Sequence, residues 1–123
     1  MKGTQRPSLP EAHRQLASLP HAVLLLRPGQ TVVSANPAAE QFLGQSLRRL
    51  EGRGLDELVT FSDARLLERI NDAETPVSAR EVVVRLKSRG ARRIDVNVAP
   101  VADWPGWQLL TIHDNTPTDA LGE

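Results

Sequence analysis

The sequence predicts an α+β domain: a five-stranded antiparallel sheet with short helices gathered on one face and a helix at the N-terminus. Three observations predict it. Two apolar runs, "AVLLLR" and "TVVSA", flank the turn sequence "RPGQ". Residues 36–75 read as short amphipathic pieces punctuated by Gly44, Gly52 and Gly54. After Pro76 the chain returns to strand patterning, broken by turn signals.

The elements follow in order. Ser8 and Glu11 have capping-box spacing, and Leu9, Ala12, Leu16 and Leu19 recur at helical spacing, so a helix over about 8–18 is expected, stopped by Pro20. Pro28 and Gly29 suit the central positions of a type II turn, which makes the two apolar runs a hairpin. The first run does not alternate, so both of its faces are expected to be covered, one by the core and the other by the N-terminal helix or a second subunit.

At "SANPAAEQFLGQS" the hairpin passes into a helix. Asn36 is a strong N-cap and Pro37 suits the first helical position. Ala38 and Ala39 favour helix, Phe42 and Leu43 supply a buried face, and Gly44 ends the helix. The seam reads as structural, and loss of a cap costs about 1 kcal/mol. "SLRRLEG", "GLDELV" and "SDARLLERINDAE" continue as helical pieces, the last with Leu66, Leu67 and Ile70 on one side. "SAREVVVRLKS" sets Val82, Val84 and Leu86 against Glu81, Arg85 and Lys87, with Val83 out of pattern. "ARRIDVNVAPV" alternates cleanly, and "WQLLTIH" closes the sheet. Residues 1–20 are thus expected to form a helical cap, 21–115 the domain, and 116–123 the start of a linker to a downstream region.

Composition narrows the function. At 123 residues the chain fits one domain. Its formal net charge is zero, so no bulk attraction draws it to nucleic acid or an anionic membrane. No apolar run approaches the roughly 18 residues of a membrane span, and no signal-peptide core precedes Pro20, so a cytoplasmic location is expected. The chain has no Cys, which removes disulfides and thiolate chemistry. Its aromatic residues are limited to Phe42, Phe61, Trp104 and Trp107.

Catalytic and metal patterns are missing. His13, His21 and His113 do not form an HExxH spacing, and no GxSxG elbow or P-loop occurs. His113-Asp114 reads as the strand's exit and not as half of a catalytic pair. Arg92-Arg93 beside Gly90 reads as a small positive surface spot. The space between sheet and helices is the natural pocket, with Val23, Leu25, Phe42, Leu58, Ile70, Val84 and Val96 as candidate lining residues.

The stretch "LLLRPGQTVVSANPAAEQFLGQS", with the strand–helices–strands order and the closing "WQLLTIHD", resembles a PAS domain over about residues 20–115. "ANPAAEQFLGQSLRRLEGRGLDEL" is similar to the N-terminal sensory domain of nitrogen-regulation sensor histidine kinases of the NtrB type. The resemblance implies a sensory module without kinase activity of its own, placed before a dimerisation helix with a phospho-accepting His and an ATP-binding region. A homodimer is expected from the residues themselves, because the stripe Leu9, Ala12, Leu16 and Leu19 and a strand apolar on both faces need cover, and that stripe is the candidate face. The resemblance also implies a signal junction at His113, Asp114 and Thr116, where such domains often end in an Asp-x-Thr pattern. Haem-binding members carry a His near the long helix and photoadduct flavin members carry a Cys; this chain has neither, so no cofactor is expected. The alternative is a receptor for a small metabolite, in another signalling protein or a transcriptional regulator.

Overall fold

In the computed structural model, which describes residues 21–87 and 89–116, six strands form one antiparallel sheet. They are β1 (Ala22–Arg27), β2 (Thr31–Ala35), β3 (Val59–Phe61), β4 (Val77–Leu86), β5 (Gly90–Pro100) and β6 (Gln108–Asp114), in the spatial order β2-β1-β6-β5-β4-β3. Four short helices connect β2 to β4: α1 (Pro37–Leu43), α2 (Leu47–Leu50), α3 (Leu55–Leu58) and α4 (Ala64–Asn71). The sixth strand, β3, corrects the expected five. It is only three residues long and follows α3 directly, so it offers no period-2 pattern to read. The expected N-terminal helix, the dimer-face residues Leu9, Ala12, Leu16 and Leu19, and residues 117–123 lie outside the described residues.

The sheet packs its inner face on the helices. Leu24, Leu26, Ile94, Val96, Leu110 and Ile112 meet Phe42, Leu50, Leu58, Leu66 and Ile70 in one buried cluster. Strand alternation supplies the pattern: successive side chains face opposite ways. In β4 the alternation is reset by one extra residue, because Ala79 pairs with Val96 but Val82 pairs with Ile94. The bulge sits at Arg80 and Glu81, with Glu81 at a left-handed φ of 55°. It keeps Val77 and Ala79, and then Val82, Val84 and Leu86, on the core side, and leaves Val83 exposed.

The hairpin turn has three residues, since Arg27 pairs with Thr31. Gly29 takes φ 90°, as a type II turn requires, and Gln30 adds a left-handed φ of 57°. Gln30 holds that conformation between two partners. Its carbonyl accepts from Leu55 N at 2.9 Å, and its Nε2 donates to Gln108 Oε1 at 3.0 Å. Gln108 is fully buried and donates onward to the Ile70 carbonyl at 2.8 Å. A polar bridge thus runs from the turn through β6 to the end of α4, where an apolar residue would leave buried groups unpaired.

Asn36 does more than cap. Its Oδ1 accepts from Ala39 N at 2.9 Å, the N-cap bond of α1. The same oxygen accepts from the buried Val23 N at 2.9 Å, and Nδ2 donates to the His21 carbonyl at 2.9 Å. Gly44 ends α1 in a left-handed conformation, φ 72°, and its N–H reaches the Glu40 carbonyl at 2.8 Å. Asn36→Ala therefore removes a cap and strands a buried β1 amide together. The expected loss is about 2–4 kcal/mol, above the ~1 kcal/mol of a cap alone. Urea unfolding with Asn36→Asp alongside checks it: the aspartate keeps the acceptor for Ala39 and Val23, loses the donation to His21, and is expected to fall between.

Candidate functional site

Strand parity decides where the candidate pocket residues go. Phe42, Leu58, Ile70, Val84 and Val96 belong to the buried cluster between sheet and helices. Val23 and Leu25 do not join them. They alternate with Ala22, Leu24 and Leu26 on β1 and stand on the sheet's outer face, where Val23 pairs with Thr111 and Leu25 with the exposed Leu109. The seven residues therefore line no common space. Five of them are close-packed core.

A cavity of about 450 Å³ opens elsewhere, at the end of the sheet where β6 leaves. Ala22, Ala38, Phe42 and Ile112 give it apolar walls. Gln41, Arg89 and Asp114 give it polar ones. Two of the apolar walls are alanines, whose short side chains leave the space open. Arg89, in the β4–β5 turn, donates from Nη1 to the Gln41 carbonyl at 2.6 Å and so ties that turn to α1.

The junction residues meet at this end. Arg92 has inward parity with Ile94 and Val96, and it is 8% exposed. That corrects the reading of Arg92-Arg93 as a surface spot: Arg93 is exposed, Arg92 is buried. Arg92 Nη2 donates to Asp114 Oδ2 at 2.8 Å, an ion pair across the neighbouring strands β5 and β6. Arg92 Nε is buried and has no partner among the described residues, so the pair is joined through one nitrogen and not through the two-point fork. Asp114 Oδ1 accepts from Thr116 N at 3.0 Å, and Thr116 Oγ1 accepts from Arg93 N at 2.9 Å. Asn115 N adds a bond to the Arg93 carbonyl at 2.7 Å. Residues 114–116 are thereby held against β5 past the last strand pair.

His113 stands on the opposite face from Asp114. Its ring meets that of His21 edge to face, with centroids 4.6 Å apart, and its register partner is Asp95. The Asp95 carboxyl is lowered from its ordinary value by the Glu81 backbone N–H, by Asn115, and by Arg80 and His113 nearby. Among the described residues no group of three His, Asp or Glu side chains is arranged to hold a metal, and no helix is long and apolar enough to cross a membrane.

A family model for the PAS fold matches residues 11–114. The chain belongs to the PAS family. This PAS domain is 32% identical over 107 residues to the sensory histidine kinase/phosphatase NtrB of Rhodobacter capsulatus, covering 85% of this chain and 30% of that protein. It is 44% identical over 54 residues to NtrB of Klebsiella oxytoca, covering 44% of this chain and 16% of that one. The chain thus spans less than a third of the relatives it matches. Among solved structures, the PAS domain of nitrogen regulation protein NR(II) from Vibrio parahaemolyticus aligns with a TM-score of 0.70 at 25% identity, covering 88% of this chain and 99% of that one. The LOV domain of a blue-light activated histidine kinase from Erythrobacter litoralis shares the fold, with a TM-score of 0.64 at 17% identity.

Of the residues gathered at this end, the sequence singled out Asp114, Thr116 and Arg92, the last as a surface spot, but not Arg89 or Gln41. The signal for Arg92 was its parity with Ile94; nothing local marks Arg89, whose contact with Gln41 spans 48 positions.

For Asp114, partial burial works to raise the carboxyl pKa, but hydrogen bonds from Thr116 and Arg92 and the Arg92 charge outweigh it, so the net shift is downward from 3.8. A carboxylate lowered on folding stabilises the protein above its unfolded value, and that contribution fades as pH falls through the lowered one. Urea midpoints taken from about pH 6 down to about pH 2.5 are expected to drop more steeply below pH 3.8 for the wild type than for Asp114→Asn. Parallel acid limbs would show that Asp114 contributes nothing there.

Proposed function

We propose that this chain is the sensory and regulatory PAS module of a cytoplasmic two-component sensor histidine kinase of the nitrogen-regulation type. It dimerises and relays conformational bias to a downstream kinase region. The observation that carries the relay is the Arg92–Asp114–Thr116 clamp, which fixes the direction in which the chain leaves the sheet. The similarity to NtrB of Rhodobacter capsulatus supports the kinase context.

Dimerisation is supported by apolar surface on the outer face of the sheet. Leu109 is 40% exposed beside Leu25, and Val83 is 45% exposed. The sequence spacing of Leu9, Ala12, Leu16 and Leu19 offers an apolar stripe as the cover for such a face. The neutral chain has no charge excess for a nucleic-acid or membrane partner. The reading needs neither haem nor flavin; the lack of any Cys rules out a cysteinyl flavin adduct.

Sedimentation equilibrium at tens of micromolar is expected to give a dimer that becomes monomeric on deletion of residues 1–20. A monomer with those residues intact removes the dimer reading. The relay is tested by joining this chain to the kinase region of the Rhodobacter capsulatus relative. Asp114→Ala is expected to change autophosphorylation by at least about threefold, a shift of roughly 0.65 kcal/mol in the conformational balance. An unchanged rate removes the junction role.

A second reading, a receptor for a small metabolite, is favoured by the cavity beside Asp114.

A further inference from the structure

The cavity at the exit end has charged groups on its walls whose hydrogen-bonding capacity packing does not use up. Arg89 spends one guanidinium N–H on the Gln41 carbonyl. A guanidinium has five such donors in a planar fork, which matches a carboxylate at two points. Asp114 accepts from Arg92 at one oxygen and from the Thr116 N–H at the other, and the Thr116 hydroxyl bonds to the carboxylate as well. A carboxylate has about four lone-pair sites, so one stays open to a further donor. Arg92 holds Asp114 through a single nitrogen while its Nε has no partner among the described residues, so the carboxylate is not locked in a two-point fork. Between the charged groups lie Ala22, Ala38, Phe42 and Ile112, and the volume of about 450 Å³ is within the usual range for a small ligand.

We propose that this cavity binds a small zwitterion of the free amino-acid class, its carboxylate on Arg89, its ammonium on Asp114 and its carbon skeleton against Phe42 and Ile112. The two wall charges set the class. A simple anion or a dicarboxylate gains Arg89 but nothing at Asp114, whose charge Arg92 already offsets; a simple cation gains Asp114 but meets Arg89. Only a molecule with both charges satisfies both walls. The gap between Arg89 and Asp114 then reads the spacing of those charges, which separates α- from ω-amino acids. A ligand ammonium also competes with Arg92 and Thr116 for the carboxylate that anchors the exit. That consequence rests on the relay proposed above; binding itself does not.

The test is a titration of the isotopically labelled chain, residues 1–123, with a panel of α- and ω-amino acids up to about 10 mM, followed by backbone amide spectra. At least one member is expected to give saturable shifts centred on Ala22, Ala38, Gln41, Ile112 and Asp114. Its N-acetyl and carboxamide derivatives, each lacking one charge, are expected to bind at least tenfold more weakly. Arg89→Gln, in an exposed turn, is expected to keep the spectrum of the folded domain and to weaken binding about tenfold. No saturable shifts with any member, shifts centred elsewhere, or equal binding by Arg89→Gln overturns the proposal. Equal binding of the N-acetyl form also overturns it and leaves only an anion site at Arg89. Binding with an unchanged autophosphorylation rate in Asp114→Ala would keep this site and remove the relay.

Discussion

The carboxamide of Asn36 ties three elements at one point: the start of β1 through Val23 and His21, the end of β2 through its own backbone, and the first turn of α1 through Ala39. Its backbone N–H reaches the Val23 carbonyl at 3.1 Å, so main chain and side chain grip the same strand. Much depends on that grip. β1 is bordered by β2 and β6, so its position sets the register of β6, and β6 carries the exit. The helix that Asn36 starts brings Ala38, Gln41 and Phe42 over the same end of the sheet. An amide suits this site because it places the acceptor for two N–H groups and the donor for a carbonyl on separate atoms of one short side chain.

The two ends of the sheet are held differently. At the hairpin end, Gln108 joins Gln30 to the Ile70 carbonyl inside the core. The β5–β6 loop also lies close over Pro28, so that a Cβ on Gly106 would come within 2.8 Å of the Pro28 ring. Gly106 also has φ 87°, a conformation that favours glycine. These contacts are buried or sterically tight. At the exit end, order rests on one ion pair joined through a single nitrogen and on bonds to Thr116 and Asn115. Asp114 is partly solvated, and its pairing competes with water and with any other donor that reaches it. The domain is thus tied firmly at the hairpin end and held by exchangeable bonds at the end where β6 leaves.

The helical start at Asn36-Pro37, its stop at Gly44, the hairpin turn and the clean alternation of β5 were legible, because each depends on residues within a few positions of one another. β3 was not, being three residues long and continuous with α3. The pocket residues were chosen by apolar character, and on β1 that failed. Every residue from Ala22 to Leu26 is apolar, so composition could not tell Leu24, which faces the helices, from Leu25, which does not. Arg92 was misplaced for the opposite reason: its charge argued for the surface while its parity argued for the interior.

Local chemistry in the sequence determined the α+β class and most of the elements and their order, because caps, turns and hydrophobic periods act over short chain distances and are written in neighbouring residues. Tertiary structure alone decided what shares a space. Asn36 meets Val23 across 13 positions, Arg92 meets Asp114 across 22, Arg89 meets Gln41 across 48, and Gln30 meets Gln108 across 78. Such contacts depend on strand order and on a β-bulge that changes which side a residue faces, and no local pattern encodes either. The cavity at Asp114 is a product of those long-range placements: three elements distant in sequence brought to one end of a sheet, with two alanines where larger side chains would have filled it.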